Sequence, residues 1–407
     1  MTSRILFVEG NTDGTVGGSY YIMVDLVLGL DRSRYEPIVV FCDENIVAER
    51  LRKEGVRVLV IPPPRPLVFR ARWLNIALAP LKRVVNTFRG FLLPALAQAQ
   101  VLRRERIDMV NLNNSITINH SWMVASRLAG IPCITHEMGM VDSYTLRARY
   151  LGARLDAVIC LSRAIHDDMR RLGVDLPNAV VIHSLFNPKR YVHAETPEAL
   201  RAQWGIPPGA PIVGVVGNVK KWKGQETIVR ATHLLRDCHP ELRCVLAGGS
   251  SPSDMPYREH LEALCRDLGI EKRVIFAGFQ PNAIDYMRLM DVVVHTSTSP
   301  EPFGIVLLEA MLLGKPLITT TIGGPAEIVL DGETGLLVDP GQPELLAGAI
   351  DRMLSDPAAA AAMGRKGKER LASEFALERT LGETTAIYDR VLSARRGPRP
   401  GAGARAT

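Results

Sequence analysis

Two glutamates, Glu301 and Glu309, stand with seven residues between them in the stretch His295-Thr-Ser-Thr-Ser-Pro-Glu-Pro-Phe-Gly-Ile-Val-Leu-Leu-Glu309. An ionised carboxylate only accepts hydrogen bonds, so the pair is matched to hydroxyl donors and not to phosphate. Between them, Pro302-Phe303-Gly304 opens an apolar run to Leu313 that reads as a short, largely buried helix, closed by Gly314 and Lys315-Pro316. A loop at the end of a parallel strand that feeds a helix N-terminus offers free amides and a partial positive charge, which suits phosphates. Phosphate-seeking amides beside hydroxyl-seeking carboxylates describe a sugar nucleotide. Taken alone, Glu309 could be a helix residue satisfied by backbone and Glu301 an ordinary loop residue. A carboxylate pair could also belong to a glycosidase, but the flanking lysines and phosphate-type loops argue against hydrolysis.

These residues need strands to carry them. Asp291–His295 and Pro316–Thr321 read as buried strands on either side of the helix, the second leading into the turn Gly323-Gly324-Pro325-Ala326-Glu327. Upstream, strand Ile212–Val216 runs into Gly217-Asn-Val-Lys-Lys-Trp-Lys-Gly224, whose basic side chains open a helix from Gln225. Strands follow at Arg243–Ala247, before Gly248-Gly249, and at Val274–Phe279. Asp331–Val338 reads as a hairpin-like pair of turns and short strands.

The first half repeats the alternation. Strand 4–8, the glycine loop Glu9–Gly18 and a helix Ser19–Leu30 make a phosphate-compatible unit. The loop is not a GxGxxG fingerprint, which gives a nicotinamide cofactor little support. Strands at Pro37–Phe41, Arg57–Ile61, Asp108–Leu112, Pro132–Glu137, Asp156–Leu161 and Val180–His183 complete the pattern. Strands alternating with helices predict parallel sheets with covering helices. Strand ends are where such sheets bind ligands, so His136 and Glu137 are expected at the mouth of the cleft. A lone histidine there could equally be structural.

The proline and glycine load between residues 190 and 211 marks a domain crossover. The expected division is residues 1–190 as one Rossmann-like domain and 191–376 as a second, with a helix at 377–393 returning to the first. Residues 394–407 read as a flexible basic tail. At 407 residues each domain can bury its own core. The opening strand is too short for a signal peptide, and no apolar run reaches about 18 residues, so nothing is expected to span a membrane. Six scattered cysteines lack CxxC pairs, and are expected as reduced thiols of a cytoplasmic protein without structural zinc.

The formal charge of +6 is unevenly spread. No Asp or Glu occurs from Arg57 to Arg104, and within 65–104 fall Arg65, Arg70, Arg72, Lys82, Arg83, Arg89, Arg103 and Arg104, interleaved with Phe69, Trp73, Phe88 and Phe91. That segment suits an anionic membrane surface, which would make the protein peripheral on the inner face. A pair of ordinary surface helices with solvated basic faces is the plain alternative. No nucleic-acid motif accompanies the charge, so nucleic acid is not an expected partner.

The run Glu301-Pro-Phe-Gly-Ile-Val-Leu-Leu-Glu309, followed by Gly-Lys-Pro and Gly-Gly-Pro-Ala-Glu327, closely resembles the retaining glycosyltransferases of family 4. The likeness extends along nearly the whole chain. It implies the GT-B fold, an α/β architecture of two Rossmann-like domains facing across a cleft, with the donor held mostly by the second. It implies a nucleotide-sugar substrate, no separate cofactor, a glycan or lipid-linked acceptor, and retention of anomeric configuration. Carried onto this chain, Glu309 would accept from the ribose hydroxyls and Glu301 from the sugar. The amides of Phe303, Gly304 and Ile305 would contact sugar and diphosphate. Lys223 matches the family's diphosphate lysine, Gly17 and Gly18 its glycines near the donor phosphates or acceptor, and His136 its histidine that touches the sugar or steers the acceptor. Phe186-Asn187-Pro188 resembles the family's Asn-Gly-Val segment, with Pro in place of Gly.

One departure matters. The family usually has arginine directly after the glycine of the lysine loop, where this chain has Asn218. An amide cannot replace a guanidinium as a cation, so Lys220 or Lys221 must supply the charge or leaving-group stabilisation is weaker. No Asp-x-Asp stands in a donor loop, and no divalent metal is expected. Two other classes fit some of the features: a sugar-nucleotide epimerase of the same fold, and a non-catalytic sugar-nucleotide binder.

Overall fold

The computed structural model describes residues 2–10, 18–64, 79–80, 85–86, 88–192 and 194–396. Gly17, much of the basic segment (65–78, 81–84 and 87) and residues 397–407 lie outside the described residues. The chain forms two compact units. One takes the residues up to Leu161, Ile165–Leu185 and the chain from Glu378; the other takes Ser162–Ala164 and Phe186–Leu377.

The first unit is built on a seven-stranded parallel sheet, ordered β3-β2-β1-β4-β5-β6-β7. The strands are β1 (Ser3–Val8), β2 (Tyr35–Phe41), β3 (Arg57–Val60), β4 (Met109–Leu112), β5 (Cys133–Glu137), β6 (Ala157–Cys160) and β7 (Ala179–Val181). Ile5, Leu6, Phe7 and Val8 are buried in succession, which an apolar run without alternation demands when helices cover both faces. The C-terminal helix Leu377–Arg396 belongs to this unit from Glu378 on. Tyr388 donates to Asn111 Oδ1 at 3.0 Å, and Asp389 accepts from Tyr35 at 2.6 Å. At Gly29 a Cβ would stand 3.0 Å from Leu381, so the glycine lets the helix Gly18–Gly29 and this one meet closely.

The second unit carries a six-stranded parallel sheet, ordered β10-β9-β8-β11-β12-β13. Its strands are β8 (Ile212–Val216), β9 (Arg243–Ala247), β10 (Val274–Gly278), β11 (Val292–Val294), β12 (Leu317–Thr320) and β13 (Leu336–Val338). Alternate residues feed two cores: Val213, Val215 and Leu246 pack with Ile228 and Ile350, while Ile212, Val245 and Val293 pack with Leu307 and Met311. The expected hairpin at Asp331–Val338 is not one. β13 instead extends the parallel sheet beside β12, with Ile318 opposite Leu336.

Each sheet reverses its winding once, between β1 and β4 in the first unit and between β8 and β11 in the second. Open parallel sheets bind ligands in the crevice at the carboxyl ends of the strands flanking such a reversal. In the second unit the loops that leave those two strands carry Lys223 and Glu301.

Candidate functional site

The loop after β8 is locked to the loop after β11 before any side chain is considered. Thr298 N donates to Trp222 O at 2.8 Å, and the Thr296 hydroxyl donates to Lys223 O at 2.8 Å. Gly224 has φ +67°, and a Cβ there would lie 2.1 Å from Thr296 O, so only glycine lets the two loops touch. On the far side, Gly323 (φ +74°) presses against Glu301, where a Cβ would meet both its N and O at 2.6 Å. Gly324 N donates to Glu301 O at 2.8 Å. Glu301 is thus fixed by backbone on two sides.

Its carboxylate is held with equal economy. Glu301 Oε2 accepts from Lys223 Nζ at 2.7 Å, His295 Nε2 at 2.6 Å and the Ser297 hydroxyl at 2.9 Å. Oε1 has no partner among the described residues. His295 Nδ1 lies 3.0 Å from Thr319 Oγ1, which accounts for both ring nitrogens. Burial alone would push the Glu301 carboxyl up, but hydrogen bonds and charge from His295 and Lys223 outweigh it and hold the group well below the usual carboxylate range. The outcome is a firmly ionised carboxylate with one saturated oxygen and one oxygen left to accept.

Glu309 lies on the helix Ile305–Leu312, which begins from Gly304 in the left-handed region (φ +102°). The amides of Gly304 and Ile305 have no hydrogen-bond partner among the described residues, as expected of a helix start without a side-chain cap. The Phe303 ring is buried and meets Phe375 edge-on at 6.1 Å. Glu309 Oε1 accepts from Tyr191 OH at 2.7 Å, and that hydroxyl accepts from Arg190 at 2.7 Å. Burial raises the Glu309 carboxyl, against the Tyr191 hydrogen bond and the Arg190 charge. Oε2 has no partner among the described residues.

Asn218 is exposed, and its backbone carbonyl accepts from Gln225. Lys220 and Lys221 enter no ion pair among the described residues, so two cations stand unneutralised beside the paired Lys223. In the first unit a Cβ added at Gly18 would meet nothing within 4 Å among the described residues, so none of them requires a glycine there.

The structure shows His136 and Glu137 buried where an open position was expected: they are 1% and 0% exposed. Glu137 accepts from the Ser115 hydroxyl at 2.6 Å and Ile116 N at 2.8 Å, and burial pushes its carboxyl up to about 7. His136 Nε2 lies 3.1 Å from Asn111 Oδ1, and Nδ1 is buried without a partner. Burial lowers this imidazole to about 4, which keeps it neutral. The chain at Ser115 and Ile116 covers the strand end and takes up the carboxylate that solvent would otherwise reach.

Sequence reasoning passed over His295, Ser297 and Tyr191. The first two had a signal, as polar residues closing an apolar strand just before Glu301. Tyr191 had none, being 118 residues from its partner Glu309. One further group could hold a metal: the ligand atoms of Cys238, His239 and Asp351 lie within 4.8 Å of one another. Cys238 and His239 precede β9, at the opposite end of that strand from the lysine loop, and His239 is already bonded to Asp351 at 2.7 Å.

Residues 197–370 match the family model of glycosyl transferases group 1, and residues 46–190 that of glycosyltransferase family 4. The D-inositol 3-phosphate glycosyltransferase of Acidothermus cellulolyticus is 30% identical over 392 residues, covering 86% of this chain and 85% of that protein. The chain belongs to glycosyltransferase family 4. The lipopolysaccharide core biosynthesis mannosyltransferase LpcC of Rhizobium leguminosarum bv. viciae is 29% identical, over 71% of this family 4 chain and 80% of its own length. Among solved structures, Anabaena HepE in complex with UDP-glucose superposes with a TM-score of 0.77 at 25% identity, covering 95% of this chain and 99% of HepE. The two parallel sheets are those of the GT-B fold. No helix among the described residues is long and apolar enough to cross a membrane.

Proposed function

We propose that this family 4 glycosyltransferase moves a sugar, with retention of configuration, from a UDP- or GDP-sugar to a hydroxyl of a glycan or lipid-linked acceptor in cell-surface polysaccharide or glycolipid synthesis. The observation that carries the reading is the half-filled Glu301 carboxylate: three donors occupy Oε2 and leave Oε1 to accept. The relatives point the same way, one being named for lipopolysaccharide core biosynthesis and another holding UDP-glucose.

In this reading Glu301 Oε1 accepts from a sugar hydroxyl and its fixed negative charge supports the oxocarbenium-like sugar as the bond to the diphosphate breaks. The free amides of Gly304 and Ile305, with that of Phe303, receive sugar and phosphate oxygens at the helix tip. Lys223 shifts its charge toward the departing diphosphate, and Lys220 and Lys221 supply the cation that Asn218 does not. A donor phosphate oxygen takes the acceptor proton on the face the leaving group vacates. Glu309 Oε2 accepts from the ribose. By the family resemblance Gly17 and Gly18 would serve the donor diphosphate or the acceptor, and His136 offers Nδ1 as a neutral acceptor to a hydroxyl at its strand end. Cationic side chains and amides do the neutralising, without a resident metal or cofactor. The enzyme works from the cytoplasm, against the inner membrane face, through residues 65–104.

Asn218 favours one rival, a sugar-nucleotide binder without turnover. Thermal-shift screening against UDP-, GDP- and ADP-sugars, followed by proton NMR of the anomeric product, tests both. Stabilisation by a nucleotide sugar with no transfer across an acceptor panel would favour the binder, and an inverted product would reject the retaining mechanism.

A further inference from the structure

The first unit holds a cavity of about 730 Å³ at the carboxyl ends of β1, β2 and β3, beside its buried polar cluster, since the lining residue Asn119 donates to Asn113 O at 3.1 Å. That volume falls within the roughly 300–1,000 Å³ of sites that take a small organic ligand. Its walls are mostly apolar: Ile61, Pro63, Phe91, Leu93, Val101 and Trp122 all line it. The chain that supplies Arg89, Phe91 and Leu93 to the lining also exposes Phe88, Leu92 and Leu96, and clustered exposed apolar side chains mark binding surfaces.

Two further features say what kind of molecule fits. The lining includes Arg89 and Arg147 and, among the described residues, no carboxylate. The Arg147 guanidinium lies over the Phe91 ring at 4.9 Å, so one cation is stacked at the wall and keeps donors for an anion.

We infer that this cavity binds the acceptor as an amphiphile: a hydrocarbon chain against the apolar walls and a phosphate or diphosphate at Arg89 and Arg147. The inference rests on the transferase reading and narrows its acceptor to a lipid-linked phosphate. A glycan without a lipid would leave the apolar walls wet and the arginines without an anion.

The test uses the full chain with geranyl phosphate, farnesyl phosphate and farnesol, read by calorimetry and by the fluorescence of Trp122 in the wall. Farnesyl phosphate binds at least about tenfold more tightly than geranyl phosphate, because each added buried methylene strengthens binding several-fold. Ala97→Trp, at an exposed lining position, weakens farnesyl phosphate at least about tenfold. Arg89→Gln combined with Arg147→Gln weakens farnesyl phosphate and leaves farnesol unchanged. Equal affinity for the two chain lengths, or an Ala97→Trp protein that binds as well as wild type, overturns the inference. UDP calorimetry on the same proteins separates the two levels: UDP bound without farnesyl phosphate sinks this inference alone, and farnesyl phosphate bound without any nucleoside diphosphate sinks the transferase reading and, with it, the cavity's role as acceptor site.

Discussion

The two sheets reverse their winding in the same way and use the resulting edge differently. At the first reversal Glu9 is buried, with the amide of Asn113 on one carboxylate oxygen and that of Asn114 on the other. Glu137 beside it is spent on Ser115 and Ile116, and His136 Nε2 on Asn111. At the second reversal Glu301 keeps one oxygen free, and Lys220 and Lys221 stand without ion pairs among the described residues. Polar groups closed on one another brace three strands; polar groups left half-open can receive a ligand. The two carboxylates show the contrast in one property. Burial without a cation leaves Glu137 raised to about 7, while Lys223 and His295 hold Glu301 well below its ordinary 4.5.

The largest effect that would break this contrast is Glu301→Gln. Turnover is expected to fall about 10²–10³-fold, with UDP affinity unchanged or improved because Lys223 is released; wild-type rates would remove Glu301 from the chemistry. Lys223→Ala comes next, costing about tenfold in UDP affinity by calorimetry as well as turnover. Gly224→Ala asks whether the touching loops matter, since its Cβ would strike Thr296 O. It should cost about 1–3 kcal/mol in denaturant unfolding and lower activity with it.

Glu137→Gln sharpens the other side. Its carboxyl is raised when folded, so the protonated form adds stability below pH 4.5 and that contribution is lost as pH climbs through about 7. Wild-type Tm is expected to drop between pH 5 and 8, and the glutamine variant to drop less; parallel curves would show that Glu137 is not protonated when folded. Glu301 acts in the opposite sense, giving stability above 4.5 that is lost as acid protonates it. The smallest expected effect is Asn218→Arg. A few-fold rise in turnover fits a loop whose Lys220 and Lys221 already carry charge, and a rise of about a hundredfold would mean that they do not.

Much of the second unit was legible because its strands are short, apolar and fully covered. Ile212–Val216 and Arg243–Ala247 fall where the apolar runs put them. Glu301 and Glu309 stood out as a carboxylate pair around a glycine turn and Lys223 through the resemblance to family 4, and the structure brings Lys223 and Glu301 together. Tyr191 became visible only in three dimensions, because the packing of the unit decides which distant segments become neighbours. The burial of His136 was hidden for a related reason. A strand end seen in sequence does not say whether a helix from the far end of the chain lies over it, and Tyr388 reaches the same Asn111 oxygen that His136 does.

Because Thr296 and Thr298 fasten their loop to Trp222 and Lys223, acid and cation travel as one piece. Swapping either loop alone between relatives to change sugar preference would pull its counterpart out of register. Donor specificity in such a scaffold should therefore be inherited, and engineered, as a matched pair of segments.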